Sequence, residues 1–295
     1  MAAAGVILFS SKAVMVKLAY QYHIDELSLL LLRMVFSLPF YLAVWMYKRK
    51  QWIQNPMSGK QYLFILGLGF IGYYLASYFD FLGLMYITAS LERLILFTYP
   101  TLVLILSAIF LKKRITKAQI IAILVTYAGL AIIFWDNQGI TSGTKEEVLM
   151  GSMFVMISAL TYAMYLTGTN FLIGKIGTLR LTTLVMSTSC LAVIIHFTVT
   201  SNPNIFGYSY QVYLLGILMA VFATVLPSFM INEAIKRAGA PDVSIVGSIG
   251  PVSTILLSMM FLGERLTLVQ LSGALVIISG VLIIGQSKRR ASLNK

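Results

Sequence analysis

Pro100-Thr101-Leu102-Val103-Leu104-Ile105-Leu106-Ser107-Ala108-Ile109-Phe110-Leu111-Lys112-Lys113-Arg114-Ile115-Thr116 returns 151 positions later as Pro251-Val252-Ser253-Thr254-Ile255-Leu256-Leu257-Ser258-Met259-Met260-Phe261-Leu262-Gly263-Glu264-Arg265-Leu266-Thr267. Without a gap the pairing matches Pro100 to Pro251, Ser107 to Ser258, Phe110 to Phe261, Arg114 to Arg265 and Thr116 to Thr267, and it continues to Gln119 with Gln270 and Gly129 with Gly280. Both copies lie in apolar stretches, so the chain reads as a duplicated membrane unit. Prolines inside duplicated spans belong to architectures whose sites form between the halves.

Composition points to the same class. Of 295 residues 59% are hydrophobic and 11% charged, with mean hydropathy +0.88; soluble domains carry roughly 25% charged residues. Cys190 is the lone cysteine, which excludes an internal disulfide or a multi-cysteine metal site, and His23 and His196 are too far apart in sequence for ligand spacing. No serine-histidine-acid set, HExxH motif or phosphate loop occurs. Gly67-Leu68-Gly69-Phe70-Ile71-Gly72 fits the dinucleotide fingerprint but sits inside an apolar span with no preceding strand, so it reads as helix-packing glycines.

Apolar runs long enough to cross a roughly 30 Å hydrocarbon core recur at about 2–20, 28–47, 62–84, 93–111, 118–135, 149–171, 181–200, 211–231, 243–262 and 267–285. Backbone groups find no water in lipid, so these runs must be helices. The first run lacks a basic n-region and is interrupted by Lys12, which predicts a retained helix and not a cleaved signal. Alternate connections collect the basic residues: Lys48, Arg49, Lys50, Lys60, Lys112, Lys113, Arg114, Lys117, Lys175, Arg180, Lys236, Arg237, Lys288, Arg289, Arg290 and Lys295 fall on one side, against Lys145 and Arg265 on the other, with Arg93 at its border. The positive-inside rule makes the first side cytoplasmic and places both termini there. This asymmetry accounts for most of the net charge of +12 without a nucleic-acid partner.

Five spans per copy is an odd number, so the second copy crosses in the opposite sense. Lys112, Lys113 and Lys117 of the first copy are replaced by Gly263, Glu264 and Leu268 in the second, where inversion puts the loop outside.

Charges inside spans are costly, about 2.5 to 3.5 kcal/mol at a helix centre, and single out candidate site residues. Lys12 lies about ten residues, or roughly 15 Å, into the first helix and so near the midplane. Lys17 and Arg33 lie nearer the outer end, where they can snorkel. Asp80 and the pair Glu92 and Arg93 fall in the same outer layer, and either a structural ion network or an outer gate is compatible with them. Tyr73, Ser77 and Asp80 share one face, and Tyr162 and Tyr165 lie close together on another span. Pro100 and Pro251 are symmetric candidates for helix kinks.

Leu31-Leu32-Arg33, Asp80-Phe81-Leu82-Gly83-Leu84, Ala89-Ser90-Leu91-Glu92-Arg93-Leu94 ahead of Tyr99-Pro100-Thr101, and Gly250-Pro251 with Phe261-Leu262-Gly263-Glu264-Arg265 together resemble the drug/metabolite transporter superfamily, in its EamA-domain form. The resemblance covers the whole chain. It implies a secondary transporter of the bacterial inner membrane, commonly an exporter, in which helices 1 to 4 and 6 to 9 line a cavity and helices 5 and 10 are peripheral. The chain departs from the family in helix 1, where Phe9-Ser10-Ser11-Lys12 stands in place of a common Trp-Gly pair.

The expectation is therefore an all-α polytopic membrane protein with ten transmembrane helices in two inverted five-helix repeats. The first repeat covers 1–135, an outer linker 136–148, and the second repeat 149–295. The expected function is export of a small organic solute, such as an amino acid, by alternating access; the alternative is a non-transporting membrane enzyme or scaffold acting on a lipid-linked substrate. Lys12, Tyr78, Asp80, Tyr99, Tyr162 and Tyr165 are the expected solute contacts, Lys17, Arg33, Glu92 and Arg93 the gating or ion-pair residues, and Pro100 and Pro251 the kinks. No catalytic residue, metal or cofactor is expected. The expected partners are the solute and membrane lipid, proton coupling is compatible with carboxylates inside the spans, and the protein is expected to be a monomer or homodimer.

Overall fold

A computed structural model describes residues 1–111, 117–135, 144–200, 205–240, 243, 246–247 and 249–293. The basic segment 112–116, the linker residues 136–143 and the segment 201–204, on which part of the expected sidedness rests, lie outside the described residues. Helices form wherever the apolar runs predict them: α1 Ala2–Tyr20, α2 Glu26–Gln54, α3 Gly59–Tyr86, α4 Ala89–Phe110, α5 Lys117–Trp135, α6 Lys145–Ile176, α7 Thr178–Thr200, α8 Tyr210–Ala238, α9 Ile249–Phe261 and α10 Leu268–Leu293. Seven of them, α1 to α4 and α6 to α8, are long and apolar enough to span a membrane. A total of ten spans requires the shorter apolar stretches Ile120–Ile132, Ile249–Phe261 and Leu268–Gly280 to cross as well. Helix starts are set by side chains that satisfy orphan N–H groups: Asp25 accepts from Ser28 N at 2.8 Å, and Ser58 with Gln61 and Thr144 with Glu147 form capping boxes.

The packing repeats itself. Helix α1 lies against α8 and α9, and α6 lies against α3 and α4; α2 pairs with α7 and α5 with α10. The α5–α10 contact shows how. A Cβ on Gly129 would stand 2.8 Å from the carbonyl of Gly273 and 2.8 Å from Ile277 N, and one on Gly280 would stand 2.4 Å from Thr126 Oγ1 and 2.9 Å from the carbonyl of Ala122. Ala122 and Gly273, Thr126 and Ile277, and Gly129 and Gly280 are each 151 apart, so the contact maps onto itself when the copies are exchanged. The residue number rises on α5 as it falls on α10, so the two helices run antiparallel. Close backbone approach of this kind is how helices gain contact in lipid, where burial supplies no drive. The refused glycine motif has the same use: a Cβ would meet the carbonyl of Val185 at Gly69 and the Tyr165 side chain at Gly72.

Two irregularities also obey the repeat. In α3 the backbone widens to π-helical hydrogen bonding over Leu68–Leu75, and in α8 over Val221–Val225; Val221 and Val225 are the counterparts of Phe70 and Tyr74. Such bulges interrupt the regular ladder and mark places where a helix changes direction. Each of the two repeat-related prolines follows a turn. In α4 a turn at Phe97–Thr98 separates Ala89–Leu96 from Tyr99–Leu111, and Pro100 cannot supply the N–H that Leu96 would otherwise accept. Before α9 the chain turns at Gly247, the counterpart of Leu96, where Gly250 N donates to the Gly247 carbonyl at 2.8 Å ahead of Pro251.

Candidate functional site: a buried ion network on α1, α2, α3 and α4

The in-span charges cluster in the bundle interior instead of reaching for its ends. Lys12 is 3% exposed, and its Nζ lies 2.7 Å from Asp80 Oδ2 and 4.0 Å from Glu92 Oε1. Arg93 Nε lies 3.9 Å from Glu92 Oε2. Two cations and two carboxylates are thus buried together, and their neutrality is what makes the burial tolerable: an unpaired ion in a low-dielectric interior costs several kcal/mol. Their directional bonding is incomplete. The Lys12–Asp80 contact is close but not aligned as a hydrogen bond, and among the described residues Asp80 Oδ1 and both Glu92 oxygens lack a hydrogen-bond partner.

Arg93 ties this network to the second copy. Its Nε donates to Thr254 Oγ1 at 3.0 Å, Thr254 in turn donates to the Ser10 carbonyl at 3.0 Å, and Arg93 Nη2 approaches the carbonyls of Phe9 and Ser10 at 3.3 and 3.4 Å. Phe9, which stands in the segment that departs from the family pattern, presents its ring to both Lys12 Nζ at 4.9 Å and Arg93 Cζ at 5.5 Å. Sequence reading also missed Glu264. Its carboxylate accepts from Ala89 N at 2.9 Å, Ser90 N at 3.0 Å and Ser90 Oγ at 2.6 Å, so it caps the N-terminus of the helix that carries Glu92 and Arg93, where the helix dipole favours an anion. Glu264→Ala is expected to destabilise the protein by about 1.5 to 3 kcal/mol, the range for hydrogen bonds to a charged group. Glu264→Gln, which keeps an acceptor, should lose less; thermal unfolding in detergent compares the two.

Arg33 departs from expectation. Two turns into α2, it is fully buried and does not snorkel: Nε donates to Thr224 Oγ1 at 2.7 Å, and the guanidinium lies over Phe81 at 5.4 Å and Tyr73 at 5.9 Å. Tyr73 and Thr224 are repeat counterparts inside the two π-helical segments, and Thr224 bonds back to the Met219 carbonyl at 2.9 Å. Among the described residues no carboxylate forms an ion pair with Arg33, and its Nη1 has no hydrogen-bond partner. The copies differ sharply here: the counterparts of Asp80, Glu92 and Arg93 are Ile231, Val243 and Ser244.

The tyrosines form a ladder beside the ions. Tyr162 stacks on Phe9 at 5.9 Å and on Tyr165 at 6.0 Å, and meets Tyr99 edge-on at 5.2 Å. Tyr73 meets Tyr165 at 5.6 Å, and Asn232 Nδ2 donates to Tyr165 Oη and to Thr182 Oγ1, both at 2.8 Å. Phe9, Arg93, Tyr99 and Tyr162 border a cavity of about 20 Å³. That is room for about one water, whereas sites for small organic ligands run from about 300 Å³ upward. Tyr78 belongs elsewhere, half-buried against His196 at 5.0 Å and Tyr74 at 6.4 Å. Lys17 Nζ donates to the Leu84 carbonyl at 3.0 Å, beside Tyr20 Oη on the Phe81 carbonyl at 2.8 Å, which fastens the end of α1 to α3.

Residues 1–135 and 149–286 each match the profile of the EamA-like transporter family. Among curated proteins, the uncharacterized transporter YcbK of Bacillus subtilis is 29% identical over 273 residues, which cover 91% of this chain and 86% of that one. The uncharacterized transporter YyaM of the same organism is 30% identical over 243 residues, covering 80% and 75%. A solved crystal structure superposes with a TM-score of 0.71 over 98% of this chain and 96% of its own at 14% identity, a likeness of fold alone.

Proposed function

Since the chain belongs to the EamA-like transporter family, we propose that it is a non-enzymatic secondary transporter that exports a small carboxylate-bearing solute, an amino acid or similar metabolite, across a bacterial inner membrane. The observation that carries this reading is Arg33: a buried guanidinium with a free Nη1 and no carboxylate partner among the described residues, held between the π-helical segments of α3 and α8. A carboxylate is its natural complement. An ammonium group on the same solute has acceptors in Asp80 Oδ1 and the Glu92 oxygens, which accept no hydrogen bond among the described residues; this favours a zwitterion over a plain anion.

Alternating access is supported by the symmetric weak points. The π-helical segments in α3 and α8 and the breaks ahead of Pro100 and Pro251 occupy equivalent positions, so either side can open by the same local motion. The antiparallel α5–α10 pair is what two inverted repeats, 1–135 and 149–295 joined by 136–148, would produce. The basic end of the bundle then faces the cytoplasm with both termini. Glu92, whose charge lacks hydrogen bonds, is the group that would carry a proton if transport is proton-coupled.

The test is transport in proteoliposomes loaded with a panel of radiolabelled amino acids and organic acids, with and without a pH gradient. Saturable flux of a zwitterionic or anionic member, lost in Arg33→Gln, is expected. Flux confined to cations, or equal in wild type and variant, overturns the assignment.

A further inference from the structure

At the basic end of the bundle the ends of α2 and α8 and the α6–α7 turn enclose an open pocket of about 440 Å³ that the transport reading does not use. Three cations line it, Lys48, Arg180 and Lys236, against one carboxylate, Glu233. That carboxylate is already engaged: Oε1 accepts from Arg237 Nε at 2.8 Å and Oε2 from Thr178 Oγ1 at 2.8 Å. Arg180 is only 8% exposed, and its Nη1 and Nη2 donate to the neutral carbonyls of Asn55 at 2.6 Å and Trp52 at 3.1 Å, while Nε has no hydrogen-bond partner. The charge is thus buried in the wall against the carbonyls that end α2 and over the Trp52 ring at 5.8 Å, with no ion pair among the described residues, so an arriving anion would be favoured there. The same wall contains the start of α7 at Thr178, a helix of 23 residues whose N-terminal dipole end favours negative charge.

We propose that this pocket binds a phosphate group. Two flexible ammonium groups, the Arg180 Nε–H that has no partner and a helix N-terminus suit a compact anion with several oxygens better than a single carboxylate. Trp52 borders the pocket, and Trp45 and Tyr47 stand one to two turns earlier on α2, exposed at 37% and 83%. Such a girdle of aromatic residues belongs at headgroup level. The phosphate therefore comes either from an anionic phospholipid or from a soluble phosphate, and basic pockets between helices at this depth are known lipid sites.

Trp52 provides the probe. In full-length protein carrying Trp45→Phe and Trp135→Phe, tryptophan fluorescence is followed in non-ionic detergent while short-chain phosphatidylglycerol, inorganic phosphate or short-chain phosphatidylcholine is titrated. A saturable change is expected with phosphatidylglycerol or with inorganic phosphate and not with phosphatidylcholine. Response to phosphatidylglycerol alone assigns the lipid as the source, and response to both assigns a phosphate site open to soluble anions. Lys48→Gln with Lys236→Gln, substitutions of a half-buried and an exposed side chain, should weaken the response at least tenfold. The proposal is overturned if neither phosphate source gives a saturable response, if phosphatidylcholine matches them, or if the double variant binds as tightly as its parent. None of these readouts depends on transport, so the two assignments fail separately.

Discussion

Lys12→Met is expected to cost about 3 to 5 kcal/mol of stability, the range for removing one partner of a buried ion pair. From the sequence alone the opposite is expected, since removing a midplane charge should ease insertion. The structure reverses the sign because Asp80, 2.7 Å away, and Glu92, 4.0 Å away, would be left with Arg93 as the only cation of the group. The double variant Lys12→Met with Asp80→Leu removes one charge of each sign and leaves Glu92 with Arg93. It should recover most of the stability, because a neutral apolar pair of similar volume often equals or exceeds a buried ion pair. Thermal unfolding in detergent measures that recovery, and proteoliposome flux separates the two roles of the pair. A recovered fold without flux assigns Lys12 and Asp80 to transport; a recovered fold with wild-type flux assigns them to packing.

Arg33→Gln should show the converse pattern. The side chain has no ionic partner to strand, so the fold loses a charge-assisted hydrogen bond to Thr224, worth about 1.5 to 3 kcal/mol, and the contacts with the Phe81 and Tyr73 rings, and is relieved of a buried charge. Solute affinity should fall by about 2 to 5 kcal/mol, the usual loss when one member of a buried charged contact is truncated, or roughly 30-fold and upward. Arg33→Lys should fall between the two, since a lysine keeps the charge and loses the planar fork. An amide analogue of the solute should bind wild type and Arg33→Gln alike. If the carboxylate form does so too, its anionic group is recognised elsewhere.

Most of the fold was legible before any coordinates. Apolar runs of 18 or more residues must be helices in lipid, and the helices appear where the runs predict them, with α2 and α6 extending by several residues into polar sequence that capping and length make helical. The repeat of Pro100–Thr116 at Pro251–Thr267 extends to Gly129 and Gly280, and both glycines lie in the α5–α10 contact, because a duplicated helix keeps its packing surface. The charged site residues were legible for the same energetic reason: a lysine, an aspartate and an arginine inside spans need compensation wherever they are.

What compensates them was not legible. Sequence shows that Lys12 and Arg33 are both misplaced cations, and by depth Lys12 looked the sharper case. Only the tertiary contacts show that Lys12 is neutralised by Asp80 while Arg33 has a hydroxyl, two rings and no counter-ion. The π-helical segments in α3 and α8 carry no proline or polar run within them that announces them. Glu264 reads as one charge in an outer loop until the fold brings it to the start of α4, 175 residues earlier in the chain. Hydropathy and repetition are properties of residues in order, and they determine which segments enter the bilayer and how the two copies correspond. Partnership is set by a few ångströms between segments far apart in the chain, and that separation decides whether a buried charge is a strut or a site.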